Sequence, residues 1–183
     1  MSTESPLEKM LSQAVADVPT VTPEGQSLKQ LPEGVIIRET PTHADERGTV
    51  AELIDERWSL SAGPLVFAYT FTIRPGFVKG WGLHKHHEDR YVVVKGEIEL
   101  VLFDPRPNSS TCNQLYRVVL SEHRRRLVNI PPLVWHADHN IGTCDAMVVN
   151  FPTKPYDHNQ PDKCRLPIDT PLIPHSFKGA RGW

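Results

Sequence analysis

The stretch Tyr91–Phe103 reads YVVVKGEIELVLF, which is two apolar runs joined at Gly96. β-Branched and aromatic side chains favour extended backbone, and a glycine between two such runs marks a sharp bend. Similar short runs lie on both sides and are separated by turn signals, at 35–37, 49–54, 65–73, 115–120, 126–130 and 146–151. Many short strands of this kind predict an all-β sandwich or barrel.

Length and composition narrow the class of protein further. The chain has 183 residues, 39% of them hydrophobic, which suits one domain with one core. The net charge of −2 and the lack of a long basic stretch argue against a nucleic-acid partner. We expect no membrane association, because no apolar run has the length of a membrane span. Three scattered cysteines and an N-terminus without a secretory pattern predict a cytoplasmic protein.

The chain divides by composition into a short first part and one larger domain. Residues 1–30 are polar and predict an N-terminal arm or a short helix, since apolar residues recur at helical spacing from Leu7 to Val15. Residues 31–183 form the single predicted β domain. Its last part, residues 152–183, is rich in proline and is expected to pack over the barrel or to carry site residues.

Three segments carry chemically active side chains. Gly80–Tyr91 reads GWGLHKHHEDRY and holds three histidines and two carboxylates within six positions, where His84 and His86 would share one face of a strand. Ile130–Asn140 reads IPPLVWHADHN and presents His136 after a diproline. In Leu166–Pro171, Asp169 precedes Thr-Pro, which on its own is typical of a turn.

Taken in order, these segments resemble the cupin superfamily, and within it the nucleotide-sugar 3,5-epimerases of the dTDP-4-dehydrorhamnose type. The resemblance covers residues 45–177. It rests on Asp45–Glu52, on the Gly82-Leu83-His84 segment, on Lys95-Gly96-Glu97 with the strand that follows it, and on Ile168–Pro174. It implies a double-stranded β-helix, the jelly-roll barrel of the cupins.

The resemblance also implies a reaction that needs no metal or other cofactor. His84 would be the general base, Asp169 would orient it, and His136 would donate to the enolate formed from a 4-keto-6-deoxyhexose nucleotide. Histidine suits proton transfer because its pKa lies near neutrality. The family further implies a nucleotide-sugar substrate, a role in polysaccharide biosynthesis, and a homodimer.

The chain departs from the family at three positions of the expected pocket. Trp81 replaces an arginine that contacts the nucleotide, Asp89 replaces a lysine, and Asn150 replaces the tyrosine that acts as the acid on the opposite face. An amide cannot deliver that proton, so either another tyrosine acts, which would be Tyr156, Tyr91 or Tyr69, or the double epimerisation does not occur. The residues expected to contact substrate are Trp81, His86, Asp89, Arg90, Trp135, Asn150 and Tyr156.

Three other functions fit the same residues. A sugar-nucleotide 3,4-ketoisomerase, also a cupin, would use two histidines spaced as His84 and His86. A metal-dependent cupin oxygenase or isomerase would bind a divalent ion through His84, His86 or His87, Glu88 and His136, because imidazole and carboxylate ligands suit iron, manganese, nickel or zinc. A non-catalytic cupin would use the pocket only to bind a sugar.

Overall fold

The computed structural model describes residues 5–60 and 63–182, and the chain divides after Gln30 into two compact units. The first unit contains helix α1 (Pro6–Gln13). Ser5 caps it by accepting a hydrogen bond from the backbone of Glu8, and the Glu8 carboxylate accepts one from the Ser5 backbone in return. Among the described residues, no helix has the length and apolar character that a membrane crossing requires.

The second unit is built from short strands. In chain order they are β1 (Ile36–Glu39), β2 (Thr42–Asp45), β3 (Gly48–Ala51), β4 (Tyr69–Ile73), β5 (Phe77–His84), β6 (Asp89–Lys95), β7 (Glu97–Phe103), β8 (Leu115–Ser121), β9 (Arg126–Ile130), β10 (Trp135–Asn140), β11 (Ala146–Asn150), β12 (Lys163–Arg165) and β13 (Arg181–Gly182), with a 3₁₀ turn at Glu56–Trp58 between β3 and β4.

The strands form two large sheets and one hairpin. The first sheet has the order β1-β9-β6-β11-β4, and the second has the order β12-β5-β10-β7-β8 with β13 beside β5; β2 pairs with β3. All these pairings are antiparallel except that of β13 with β5. This architecture confirms the predicted all-β jelly-roll barrel.

Alternation along the strands decides which side chains fill the barrel. On β7, Ile98, Leu100 and Leu102 point inward and pack against residues of the first sheet such as Val93 and Val148. Their neighbours Val101 and Phe103 point outward. The period of two therefore separates an inner core from an outer layer on each sheet.

The outer face of the second sheet is covered by the C-terminal tail. Ile173 and Phe177 of the tail pack against Trp81 and Phe103. The outer face of the first sheet is covered instead by residues near the 3₁₀ turn, including Leu60. Packing of the tail over the barrel is one of the two outcomes that its length predicted.

Candidate active site

One buried carboxylate, that of Asp89 at the start of β6, is surrounded by three imidazoles. His84 Nε2 lies 3.1 Å from Asp89 Oδ2, and His136 Nε2 lies 3.5 Å from the same oxygen. His87 Nε2 lies 3.7 Å from Asp89 Oδ1. Burial raises the pKa of Asp89, but hydrogen bonds and charge from His84 and His87 outweigh it and hold the pKa well below its usual value. Asp89 is therefore ionised.

Two further groups donate hydrogen bonds to this carboxylate. The Tyr91 hydroxyl donates to Oδ2 at 3.2 Å, and Asn150 Nδ2 donates to Oδ1 at 2.7 Å. Asn150 Nδ2 also donates to the Tyr69 hydroxyl oxygen at 2.9 Å. The sheet register brings these three side chains together, because Asn150 on β11 lies directly between Tyr69 on β4 and Tyr91 on β6.

His84, on β5, has the arrangement of a general base. Its Nε2 faces the Asp89 carboxylate, so the proton of the neutral ring is favoured on that nitrogen. Its Nδ1 is buried and has no hydrogen-bond partner among the described residues. No described residue therefore engages the lone pair on Nδ1, and Asp89 would stabilise an imidazolium at His84.

His136, on β10, is held in a different state. Its Nδ1 lies 3.3 Å from the carbonyl oxygen of Val134, and its Nε2 lies 3.5 Å from Asp89 Oδ2, so two acceptors compete for the one proton of the neutral ring. The shorter contact favours the proton on Nδ1. Burial lowers the pKa of His136 to about 3, so the ring is neutral. A neutral ring in this tautomer has no proton at Nε2. The donation to the enolate that the resemblance implied for His136 is therefore not available in this state.

A pocket of about 450 Å³ opens between the two sheets. Aromatic side chains of the first sheet, among them Tyr69 and Phe71, form one wall. The other wall is polar and comes from the second sheet, with His136 and Asp138 on β10 and Lys163 on β12. The complete lining is Phe67, Tyr69, Phe71, Val78, Lys79, Gly80, Tyr91, His136, Asp138, Tyr156, His158, Lys163 and Arg165.

A bulge in β5 shapes the polar wall. His136 pairs with Gly82 and Asp138 pairs with Lys79, so β5 has one residue more than β10 over this interval. Lys79 and Gly82 consequently both lie on the pocket side. Asp138 and Lys163 were not predictable as pocket residues, because the bulge and the pairing of β12 with β5 depend on contacts distant in sequence.

The aspartate expected to orient His84 lies elsewhere. Asp169 is exposed and belongs to the tail, and no contact between its carboxylate and His84 is present. Asp89 is instead the carboxylate that lies beside His84, which corrects the expected His84–Asp169 pair. The reason is that Asp89 is the first residue of the strand after the His84 hairpin, which brings its side chain back against His84.

Several expected substrate contacts also lie away from the pocket. Trp81 and Trp135 point to the outer face of the second sheet, where Trp81 packs against Phe177 with ring centroids 5.6 Å apart. They occupy the opposite face because they adjoin Gly82 and His136 in their strands, and adjacent side chains alternate. Arg90 is buried and donates to backbone carbonyls, including that of Phe151 at 2.6 Å.

The remaining expected residues divide between the pocket and the surface. Tyr156 lines the pocket, whereas the side chain of His86 is exposed. His84 and His86 therefore do not form the pair that the ketoisomerase hypothesis requires. The backbone N–H groups of Lys85 and His86 donate to the Asp162 carboxylate, which fixes the turn between β5 and β6.

A metal-binding arrangement exists within the same cluster. One ligand atom each from His84, His87 and Asp89 lies within 4.8 Å of the others. His87 Nδ1 lies 2.9 Å from Asp162 Oδ2, and a carboxylate on the far nitrogen commonly orients a ligating histidine. Of the expected ligands, this set contains His84 and His87, whereas Asp89 takes the place of Glu88 and His136 is not part of the set.

An ionised carboxylate that orients a histidine beside a pocket, within a jelly-roll barrel, defines a cupin of the nucleotide-sugar epimerase type. The family model described as "Polysaccharide biosynthesis C-terminal domain" matches residues 43–164. The chain belongs to this family.

Known proteins support this assignment at the level of sequence and of fold. The "Probable low-salt glycan biosynthesis epimerase Agl13" of Haloferax volcanii is 34% identical over 139 residues, which are 74% of this chain and 87% of that protein. The "Spore coat polysaccharide biosynthesis protein SpsL" of Bacillus subtilis is 29% identical over 77% of this chain and 93% of its own.

Among solved structures, a dTDP sugar isomerase from Desulfovibrio desulfuricans G20 superposes with a TM-score of 0.75 and 29% identity, and covers 84% of this chain and 98% of its own. The dTDP-6-deoxy-D-glucose-3,5-epimerase of Legionella pneumophila, solved with dTDP-4-keto-L-rhamnose, has a TM-score of 0.70 at 20% identity, over 79% of this chain and 78% of its own. The latter shows the shared fold.

Proposed function

We propose that this protein is a nucleotide-sugar epimerase, an isomerase of glycan or polysaccharide biosynthesis. Its substrate would be a 4-keto-6-deoxyhexose nucleotide of the dTDP-4-dehydrorhamnose type. The observation that carries the proposal is the His84–Asp89 pair, in which an ionised carboxylate faces Nε2 and leaves Nδ1 unpartnered. The epimerase and isomerase names of the relatives support the same class of reaction.

In the proposed first step, His84 Nδ1 removes the proton from the carbon next to the keto group. The electrons of the broken C–H bond form a C=C bond, and those of the C=O bond move to the oxygen, which becomes an enolate. Asp89 stabilises the positive charge that His84 gains. General base catalysis of this kind contributes roughly 10²- to 10⁴-fold to a rate.

In the proposed second step, Tyr69 returns a proton from the opposite face. Tyr69 comes from β4 of the first sheet and lines the pocket, whereas His84 comes from β5 of the second sheet, so base and acid belong to different sheets. Burial raises the pKa of Tyr69 to about 12, so the phenol keeps its proton until the enolate needs it. Because the hydroxyl oxygen accepts from Asn150, its own proton is free to point elsewhere.

After one inversion His84 holds one extra proton and Tyr69 lacks one, and exchange with solvent resets both groups. Asn150 itself transfers no proton in this scheme. It fixes Tyr69 relative to Asp89, since its two N–H groups reach both residues. Tyr69 is thus the preferred choice among the three tyrosines that the sequence left open.

The proposal includes features that the sequence suggested and that remain predictions. We propose that the reaction needs no metal or other cofactor, that the enzyme works in the cytoplasm, and that it forms a homodimer. We propose that the nucleotide is dTDP, as for the dTDP sugar isomerase of Desulfovibrio desulfuricans and the epimerase of Legionella pneumophila.

Exchange of solvent deuterium tests the proposal. The protein is incubated in D₂O with dTDP-4-keto-6-deoxyglucose, and proton NMR follows the signals at C3 and C5. We expect one or both signals to disappear with the wild-type protein and to persist with His84→Ala. His123→Ala, which changes an exposed histidine after β8, is the matched control and should exchange normally. Persistence of both signals with the wild-type protein would contradict the proposal.

A metal-dependent cupin reaction is the second candidate function. The observation in its favour is that His84, His87 and Asp89 present three ligand atoms within 4.8 Å of one another. Divalent ions bind such mixed imidazole and carboxylate sets. The two functions make opposite predictions about metal removal.

A further inference from the structure

We propose that the ammonium group of Lys163 stabilises the enolate oxygen during catalysis. Lys163 lies on β12, a strand outside the segments that the family resemblance used for the base and acid. The proposal rests on the proposed epimerase function and assigns one residue within it. The family's own lysine is lost here, because Asp89 stands at its position.

The sheet register places Lys163 beside the base. On the antiparallel pair of β12 and β5, Lys163 is directly opposite His84. Side chains of directly opposed residues project from the same face of a sheet, with Cβ atoms roughly 5 Å apart. Lys163 and His84 therefore approach the substrate from the same side.

Gly82 allows the lysine side chain to reach the centre of the site. A Cβ atom at Gly82 would lie 2.7 Å from Lys163 Cε, 3.1 Å from Lys163 Nζ and 3.3 Å from His136 Nε2. The lysine tail thus crosses directly over the glycine, and its ammonium group and His136 Nε2 both lie within 3.3 Å of one point. No other residue type leaves this passage open.

The ammonium group has donors to offer a ligand. Within residues 5–60 and 63–182, no carboxylate lies within 4.0 Å of Lys163 Nζ and no hydrogen bond joins Nζ to the protein. Burial lowers the pKa of Lys163, while the charges of Asp89 and Asp138 raise it and help keep it protonated. A largely buried cation without a fixed partner has N–H groups directed into the pocket.

The chemistry of the enolate matches this cation. When the C–H bond breaks, negative charge develops on the former keto oxygen, and donors already in place stabilise it without reorganisation. With its proton on Nδ1, facing the Val134 carbonyl, neutral His136 does not donate from Nε2. The other two pocket cations, Lys79 and Arg165, are more exposed than Lys163. Lys163 is therefore the best-placed donor on the polar wall.

Substitution with chemical rescue tests the assignment. Lys163→Met removes the charge but keeps much of the side-chain volume. Lys163→Ala removes the charge and also leaves an empty space in place of the lysine side chain. Both are compared with the wild type in the deuterium-exchange assay, and thermal melting shows that each variant is folded. Lys95→Met, at the exposed end of β6, is the matched control. We expect both Lys163 variants to lose about 100-fold in exchange rate, as for the loss of one oxyanion donor.

Added ethylammonium separates a catalytic from a structural role. We expect it to restore part of the exchange rate of Lys163→Ala, in proportion to its concentration, and to leave Lys163→Met unchanged because methionine fills the space. Wild-type-like exchange by Lys163→Met, or a loss in Lys163→Ala without rescue, would overturn the assignment while leaving the epimerase proposal intact. A wild-type protein without exchange would overturn both.

Discussion

Gly82→Ala is expected to reduce catalysis without damaging the fold. The new methyl group would stand 2.7 Å from Lys163 Cε. Carbon atoms contact favourably at about 3.5 Å or more, so Cε must retreat by at least about 0.8 Å. A displacement near 1 Å at a catalytic group costs up to about 100-fold in rate, and we expect a loss of roughly 10- to 100-fold. The φ angle of Gly82 lies outside the left-handed region, so alanine introduces no backbone strain, and the closest contacts are with the Lys163 side chain.

Deuterium exchange and thermal melting together measure this effect. We expect the melting temperature to change little, because the displaced atoms belong to the end of a flexible side chain. Gly142→Ala is the control, since its nearest neighbour would be Asn140 Oδ1 at 3.4 Å. In a Lys163→Ala background, Gly82→Ala should cost little more, because the two changes act on one group. Full activity of Gly82→Ala would show that the new methyl group does not displace the Lys163 ammonium group. Losses in rate that simply multiply in the double variant would show that the two changes act on different groups.

Three further predictions concern other parts of the barrel. Burial raises the pKa of Asp138 from 3.8 to about 7. Between these two pH values the folded protein holds a proton on Asp138 that the unfolded chain has released. The free energy of unfolding therefore falls as the pH rises from 3.8 to 7, by about 4 kcal/mol in total. Asparagine does not titrate, so the free energy of unfolding of Asp138→Asn in urea, relative to that of the wild type, should be higher at pH 8 than at pH 4. An equal difference between variant and wild type at both pH values would contradict this. Tyr69→Phe should retain removal of the substrate proton but form about 100-fold less epimer by NMR, a loss of the order that general acid catalysis supplies; an unchanged yield would exclude Tyr69 as the acid. Leu100→Ala, at a fully buried inner-core position, should lower the free energy of unfolding by about 2–5 kcal/mol, and a loss below that range would show that the core collapses around the cavity.

The fold was predictable because strand patterning is local. The alternation in Tyr91–Phe103 sets which side chains face the inner core and which face outward. The order of short motifs then identified the family, which the family model and the Haloferax volcanii relative confirm.

The partner of His84 was not predictable in the same way. The family resemblance implies Asp169 as the partner of His84, whereas the observed contact with Asp89 depends on how the β5–β6 turn closes. The turn is fixed by Asp162, which is more than 70 residues away in sequence. Local spacing carries no information about such a contact.

Trp81 and Lys163 show the same limit from two directions. Proximity to His84 in sequence suggested that Trp81 lines the pocket, yet alternation places it on the outer face under the tail. Lys163 is distant in sequence but lies opposite His84 because β12 joins the edge of the second sheet. The pairing of an edge strand is a tertiary contact, and no residue pattern within Lys163–Arg165 predicts it.

The dependence of deuterium exchange on metal distinguishes a metal-independent epimerase from a metal-dependent cupin. It does so because His84, His87 and Asp89 satisfy the geometry of both a proton-transfer site and a metal site. The purified protein is dialysed against a chelator, its metal content is measured by elemental analysis, and exchange into dTDP-4-keto-6-deoxyglucose is followed before and after. We expect exchange to continue at the same rate in metal-depleted protein and to be abolished by His84→Ala. A stoichiometric metal whose removal stops exchange, and whose return restores it, would contradict the proposed metal-independent epimerase.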